Sequence, residues 1–266
     1  MRTQLSFLIF IVTFFCTLPV NAQLLPGDEI ARHINARDEG EAVSRILVME
    51  MTDSRGKQRI RKTKGYRKYF GDEKRTVIFY LAPKNIKGTA FLTYDYPQTD
   101  KDDDQWLYLP AMRKVRRISA SDRGDYFLGT DFTYEDIKLE TRVSMADYQR
   151  KTIGESKVDG FHCLILESKP VNSDIAAELG YSKVEQCVDD NIWMVRQSKM
   201  WDIQGNPLKT INFKDIRQIQ GIWTQHIIEA SNHKTGHHTR FVFSDVQYNQ
   251  GVNDQVFTKN ALKRGL

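Results

Sequence analysis

The chain has 266 residues, with 39 Lys and Arg against 34 Asp and Glu, 40% hydrophobic and 11% aromatic residues, and three cysteines. That length suits one large β domain or two small ones, and no Pro-rich, Gly/Ser-rich or single-sign linker splits it. The cationic excess of +5 is scattered and comes with no nucleic-acid-binding motif, so nucleic acid is excluded as a partner.

The chain opens with Arg2, an apolar run over 5–18 and the small-residue site Val20-Asn21-Ala22 before Gln23. This pattern predicts a secretory signal peptide over 1–22, cleaved after Ala22, because the apolar run is too short for a membrane span. Cys16 follows Phe15 where a lipobox wants a small residue, so lipidation is not expected. The remainder, 23–266, is expected to be a single periplasmic domain and a monomer.

Leu25-Pro26-Gly27-Asp28-Glu29-Ile30 reads as a helix entry, with two acids near the positive end of the dipole, and Ile30 and Ile34 share a face. Gly40 ends it. From 42 the period changes to two: Leu47, Met49 and Met51 alternate with Ile46, Val48 and Glu50, which predicts a long strand. Asp53-Ser54-Arg55-Gly56 turns the chain into a cationic strand over 58–70. A third strand spans 75–82, and after Pro83 a fourth begins at Thr89.

Between 102 and 136 lies the densest mixture of aromatic, basic and turn-forming residues. Trp106-Leu107-Tyr108-Leu109 forms a short strand stopped by Pro110, and 112–118 restarts with Arg113, Lys114, Arg116 and Arg117 among apolar side chains. Residues 119–136 are too rich in Gly, Asp and Ser for a strand, yet carry Phe127, Leu128, Phe132 and Tyr134. Apolar groups on an irregular segment need a surface to cover, so this stretch is expected to fold back over one.

Further strands are read over 161–168, 184–188, 192–201, 207–213, 221–230 and 239–248, most joined by turn chemistry such as Gln204-Gly205-Asn206 and Thr235-Gly236. Strands joined by short turns pair antiparallel, and about eleven of them exceed what an open sheet carries without curling. A helical turn over 172–180 and a tail helix capped by Thr258 complete the pattern. The expected fold is mainly β with few helices: a strongly curved antiparallel sheet, a half-barrel of about eleven strands, covered by an N-terminal helix and a loop or helix lid.

The constellations that covalent chemistry requires are not in the sequence. The G-x-S-x-G elbow, the phosphate loop, H-E-x-x-H and C-x-x-C are all missing. His233, His237 and His238 straddle a Gly turn and read as a solvated hairpin tip rather than metal ligands. Residues 100–104 resemble the start of a calcium loop, but Gln105 and Ala111 stand where Gly and Glu are needed. Asp122, Asp125, Asp131, Glu135 and Asp136 are read as caps and turn residues. No enzyme activity, metal or cofactor is therefore expected. Cys163 and Cys187, on consecutive strands, form either a disulfide or two buried thiols.

The run WLYLPAMRKVRRISASDRGDYFLGTDFTYEDI resembles the signature of the bacterial outer-membrane lipoprotein-sorting family, similar in fold to the periplasmic carriers LolA and LolB. The likeness extends through Lys87-Gly88-Thr89-Ala90-Phe91-Leu92, Trp201-Asp202-Ile203-Gln204-Gly205, Gly221-Ile222-Trp223 and Val256-Phe257-Thr258. It implies a carrier that shields the acyl chains of a lipid or lipoprotein in an apolar cavity on the way to the outer membrane. It further implies cover residues Ile30, Ile34, Phe127, Leu128, Phe132 and Tyr134 over wall residues Leu47, Met49, Met51, Phe79, Leu81, Phe91, Trp106 and Tyr108. The strand period does not say which face is concave. Arg113, Lys114, Arg116 and Arg117 are either a solvated edge or a patch for anionic head groups or an acidic partner. A second reading is an envelope interaction module serving an inner-membrane transporter of the resistance-nodulation-division type or a stress sensor, without cargo transfer. A third, a periplasmic hydrolase, has no visible nucleophile and base.

Overall fold

The structure, a computed structural model, describes residues 24–97, 101, 103–140 and 142–266. The expected signal peptide over 1–22 lies outside the described residues. The first six strands are β1 (Ala42–Thr52), β2 (Gln58–Phe70), β3 (Glu73–Ala82), β4 (Ala90–Asp95), β5 (Asp104–Leu109) and β6 (Lys114–Ile118). Seven more follow: β7 (Tyr148–Val158), β8 (Phe161–Pro170), β9 (Lys183–Asp189), β10 (Met194–Trp201), β11 (Pro207–Ile219), β12 (Ile222–Asn232) and β13 (His238–Tyr248). Among the described residues the α-helices are α1 (Gly27–Asn35), α2 (Tyr134–Leu139), α3 (Ser173–Leu179) and α4 (Lys259–Arg264).

All thirteen strands form one antiparallel sheet in the order β6-β5-β4-β3-β2-β1-β13-β12-β11-β10-β9-β8-β7. Two meanders meet in the middle, where the first and last strands pair with Leu47 opposite Phe243. Consequently β6 and β7, consecutive in the chain, lie at opposite edges of an unclosed sheet. The segment between them must cross the sheet to join those edges.

The sheet curls strongly. Ile78 of β3 and Tyr148 of β7 line one small cavity, although the two strands are nine steps apart in the sheet. At about 4.8 Å per step a flat sheet would hold them roughly 43 Å apart. The mainly β, curved antiparallel architecture expected from the sequence is therefore present, with thirteen strands rather than about eleven. The strand that the sequence reading lacks altogether is β7, an edge strand with no buried residue, so no apolar alternation marks it.

Both faces of the β3–β5 region are buried, which explains the unbroken apolar run Val77-Ile78-Phe79-Tyr80. Ile78, Tyr80, Phe91 and Leu107 point to the inner face, and Val77, Phe79, Leu92 and Trp106 to the outer one. On the outer face they meet Phe257, Ala261 and Leu262 of the C-terminal segment. Thr258 caps α4 by accepting from the Ala261 amide at 3.1 Å, and the Tyr94 hydroxyl donates to the Phe257 carbonyl at 2.6 Å. On the inner face α1 packs Ile30 and Ile34 against Leu164, Leu166 and Val188 of β8 and β9. No helix among the described residues is long and apolar enough to cross a membrane.

Candidate binding cavity beneath the crossover segment

The crossover, 119–140 and 142–147, is the segment the sequence singled out for its aromatic residues. Its first part doubles back, the Phe127 amide donating to the Phe132 carbonyl at 2.7 Å and the Thr130 hydroxyl to the Phe127 carbonyl at 2.8 Å. Thr133 then opens α2 with a reciprocal cap: its hydroxyl accepts from the Asp136 amide at 3.1 Å, and Asp136 accepts from the Thr133 amide at 2.8 Å. Asp136 is thus a cap, as expected.

The crossover's aromatic side chains insert into the hollow. Phe127 and Tyr134 stand against Phe91, with ring centroids 5.0 and 5.5 Å apart, and Phe132 stacks on Phe241 at 4.3 Å. Ile137 joins the same cluster, so much of the inner face is already covered. A cavity of about 130 Å³ remains between α2 and the sheet. Leu47, Val184, Met200, Ile211, Ile228 and Phe243 form its apolar wall.

Polar groups anchor this cover at both ends. Lys209 of β11, fully buried, donates to Asp136 at 2.6 Å and to the Asp131 carbonyl at 2.9 Å. Asp131 also accepts from the Thr239 hydroxyl at 2.7 Å and contacts the His237 ring. At the other end of α2, Arg45 of β1 pairs with Glu140 and sits 4.7 Å over the Phe243 ring. Burial lowers the Arg45 guanidinium to about 10. Burial likewise pushes the Tyr148 and Tyr181 phenols, both lining the cavity, well above their ordinary value.

Glu135 also lines the cavity and is buried, and that burial raises its carboxyl above the usual range against the opposing pull of Lys138 and Arg123. Lys138 lies 2.9 Å from it. Burial works against the Lys138 ammonium too, but Glu135 and Asp103 overcome it and the pKa is raised. The buried Lys74 donates to the Lys138 carbonyl at 3.2 Å and pairs with Asp95 at 3.0 Å, which ties this side of the crossover to β3 and β4.

Of the residues singled out in the sequence, Leu47, Met49, Phe91, Phe127, Phe132 and Tyr134 come together in the inner cluster, with Leu128 packed against its margin. Met51 continues the face of Leu47 and Met49 at the end of β1, opposite Thr239. Phe79, Trp106 and Tyr108 do not join them: they lie on the outer face with the C-terminal segment. Leu81 is half-buried and is the extra residue where the β2–β3 register shifts between the Lys62–Ala82 and Thr63–Tyr80 pairs, so it belongs to neither face by strand period. Phe79, Trp106 and Tyr108 are removed from the cavity wall, because on β3 and β5 the residues one position earlier or later are the ones that point inward.

Arg113, Lys114, Arg116 and Arg117 are all exposed, on or beside the edge strand β6. Arg117 pairs with Asp104 at 2.7 Å and Arg116 with Asp122 at 3.3 Å. Cys163 and Cys187 form a disulfide between β8 and β9, with α-carbons 5.3 Å apart. The histidine tract divides: His233 and His238 are exposed, whereas His237 is drawn against Asp131, so the tip is not uniformly solvated as expected. Among the described residues no group of three or more His, Cys, Asp and Glu side chains could hold a metal. The anchors Lys209 and Thr239 escaped the sequence reading, and His237 is read there only as part of a solvated tip. The available signal was Lys209 itself, a lysine in phase with Ile211 on an apolar strand face.

A family model described only as an uncharacterized protein matches residues 72–264. The chain is similar to a DUF1329 family protein from Desulfovibrio piger, at 30% identity and TM-score 0.82 over 89% of this chain and 97% of that one. It is similar to a Vibrio parahaemolyticus protein described as an outer membrane lipoprotein-sorting domain, at 30% identity and TM-score 0.80 over the same shares, 89% and 97%. A LolA superfamily protein from Nitrosomonas europaea shares the fold at 19% identity and TM-score 0.67, over 90% of this chain and all of that one. No curated protein matches the chain. The chain belongs to the DUF1329 family, and its fold is LolA-like.

Proposed function

We propose that the protein is a periplasmic carrier that shelters acyl chains of a lipid or lipoprotein between the crossover and the inner face of the sheet. The observation that carries this reading is the residual apolar cavity beneath a cover held by its rings and by a few polar anchors. About 130 Å³ is on the scale of an engineered apolar cavity that takes up benzene. An acyl chain needs more, so loading requires the crossover to act as a lid and give up its place. Transferring about ten methylenes from water contributes on the order of 8 kcal/mol, enough to offset the loss of several ring contacts and hydrogen bonds.

The disulfide supports an oxidising compartment. The reading is non-enzymatic, in keeping with relatives described by lipoprotein sorting and the LolA fold. It treats 23–266 as one working unit. Extraction under native conditions followed by mass spectrometry should find acyl lipid at a defined stoichiometry, and it should be lost when Ile228→Phe fills the cavity. Recovery of the protein without lipid, together with failure of apolar fluorescent probes to bind, would reject it. The extent to which Phe127, Phe132 and Tyr134 already fill the hollow favours the second reading, an interaction module for an inner-membrane transporter that needs no cargo. On that reading complexes form as readily with Ile228→Phe as with the parent.

A further inference from the structure

The turns of an antiparallel sheet alternate between its two ends, and in this chain their charge alternates with them. At one end lie 53–59, 83–89, 110–114, 202–206 and 233–237. These turns adjoin one another: a methyl group at Gly236 would sit 3.3 Å from the Ser54 side chain, and one at Gly88 the same 3.3 Å from the Pro110 ring. Lys234 is 3.8 Å from Asp202, and Arg59 is 3.4 Å from His237. Together the five stretches carry eight Lys and Arg, all exposed, against two acids. Both acids are spent on their own turns, Asp53 accepting from the Arg55 and Lys57 amides and Asp202 from Gln204 and Asn206.

The opposite end has the reverse balance. There 36–41, 71–72, 96–103, 159–160, 190–193, 220–221 and 249–258 carry, among the described residues, eight acids and two cations. The most exposed apolar side chains stand at the basic end, while Phe161 and Trp223 beside the acidic turns are less exposed. Apart from the terminal Leu266, the three most exposed large hydrophobics are Met112 at 61%, Ile60 at 58% and Ile203 at 53%, all at or beside the basic turns. The sixth connection at the basic end, 171–182, carries Asp174 and Glu178, so the basic arc stops at β10.

We propose that this basic arc, tipped by Met112, Ile60 and Ile203, docks the barrel end-on to an anionic lipid surface. Cations clustered within a Debye length of such a surface are attracted additively, and isolated apolar tips among them enter the head-group boundary. An acidic protein would satisfy the cations but gives no reason for the apolar tips to stand exposed between them. The acidic end faces away and sets the orientation. The crossover's 127–131 turn belongs to the docked end, since Arg61 donates to the Leu128 carbonyl and Asp131 meets His237 there. The surface thus touches the place where the cover is anchored. Docking rests on the carrier reading only for its purpose, and vesicle binding tests it separately.

The test is co-sedimentation of the protein with vesicles of phosphatidylcholine alone and of phosphatidylcholine with phosphatidylglycerol, at low and high salt, with an apolar fluorescent probe followed in the same samples. Binding is expected only to the phosphatidylglycerol vesicles, falling as salt rises. Each cation removed among Lys84→Gln, Lys87→Gln, Arg113→Gln and Lys114→Gln should weaken it by about fivefold. Met112→Ser should weaken it further, and Asp72→Asn with Asp159→Asn at the far end should leave it unchanged. Equal binding to both vesicle types, or a fourfold variant that binds like the parent while unfolding at the same temperature, overturns the proposal. Retention by an acidic protein with neither vesicle bound overturns it equally, and probe binding unchanged in that case leaves the carrier reading standing.

Discussion

Lys209 reaches across from β11 to Asp136 at the first turn of α2, an ammonium with no exposed side-chain surface 2.6 Å from a carboxylate oxygen. The pair fixes the cover to the sheet at the point where the crossover changes from loop to helix. Removing one member of a buried pair leaves the other charge unpartnered, which costs about 3 kcal/mol where the survivor keeps some access to water. Asp136, 14% exposed, is that survivor. Lys209→Met should therefore lower the unfolding free energy by that amount, read as a lower urea midpoint at unchanged slope, and speed amide exchange over 131–137. Adding Asp136→Asn should restore part of the loss. Equal and additive losses would show that the two groups do not act on each other.

A second expectation concerns Glu135, whose carboxyl is raised by burial beside the cavity. A folded value above the unfolded one means the native state holds the proton more tightly. The stabilisation this gives is complete below the ordinary carboxyl value and is lost as pH rises through the raised one. Stability should thus decline with pH from about 4.5 upward over the interval set by that shift. Glu135→Gln should flatten the decline in urea midpoint as pH rises above the ordinary carboxyl value, relative to the parent. His162, raised by its bonds to Asp190 and Glu155, has the same sign and remains in both proteins, so the difference isolates Glu135.

The strands were legible because their apolar residues repeat every second position, and the crossover because its aromatics stand among Gly, Asp and Ser. The faces were not. Period two says that Phe79 and Ile78 point apart, but only the position of the C-terminal segment decides that Phe79 lies outside. Likewise β7, lying on the edge, is half-buried or exposed throughout and leaves no apolar alternation to read. The anchors were hidden for another reason: Lys209 meets Asp136 across 73 positions and Thr239 meets Asp131 across 108, so no local spacing connects them. Lys209 could still have been flagged by phase, since a cation on the side of Ile211 needs a buried partner.

The disulfide offers a third test. It closes a loop with a sequence separation of 24 that contains α3 and links two strands on the β7 side of the sheet. A loop of this size contributes about 3 kcal/mol by restricting the unfolded chain. Cys163→Ala with Cys187→Ala should lower the urea midpoint accordingly, and reducing agent should lower the parent's midpoint while leaving the variant's unchanged. A reductant effect on the variant would place the sensitivity elsewhere.

The end of α2 supplies the last prediction. Glu140 pairs with Arg45 while its own backbone takes φ 55° and ψ −95°, a conformation costly for any residue with a side chain. Such strain costs about 1–3 kcal/mol and persists only where other contacts hold it. Here the holding contact is the guanidinium that also lines the cavity. Glu140→Gln weakens the contact and keeps the strain, whereas Glu140→Gly gives up the contact and relieves the strain. Despite glycine's entropic cost of roughly 0.5–1 kcal/mol, the Gly variant should be about 1 kcal/mol more stable than the Gln variant. Both should admit an apolar fluorescent probe faster than the parent, because both release the cover at the same point. A Gln variant as stable as the parent, with unchanged probe entry, would mean that Arg45 does not hold α2 down.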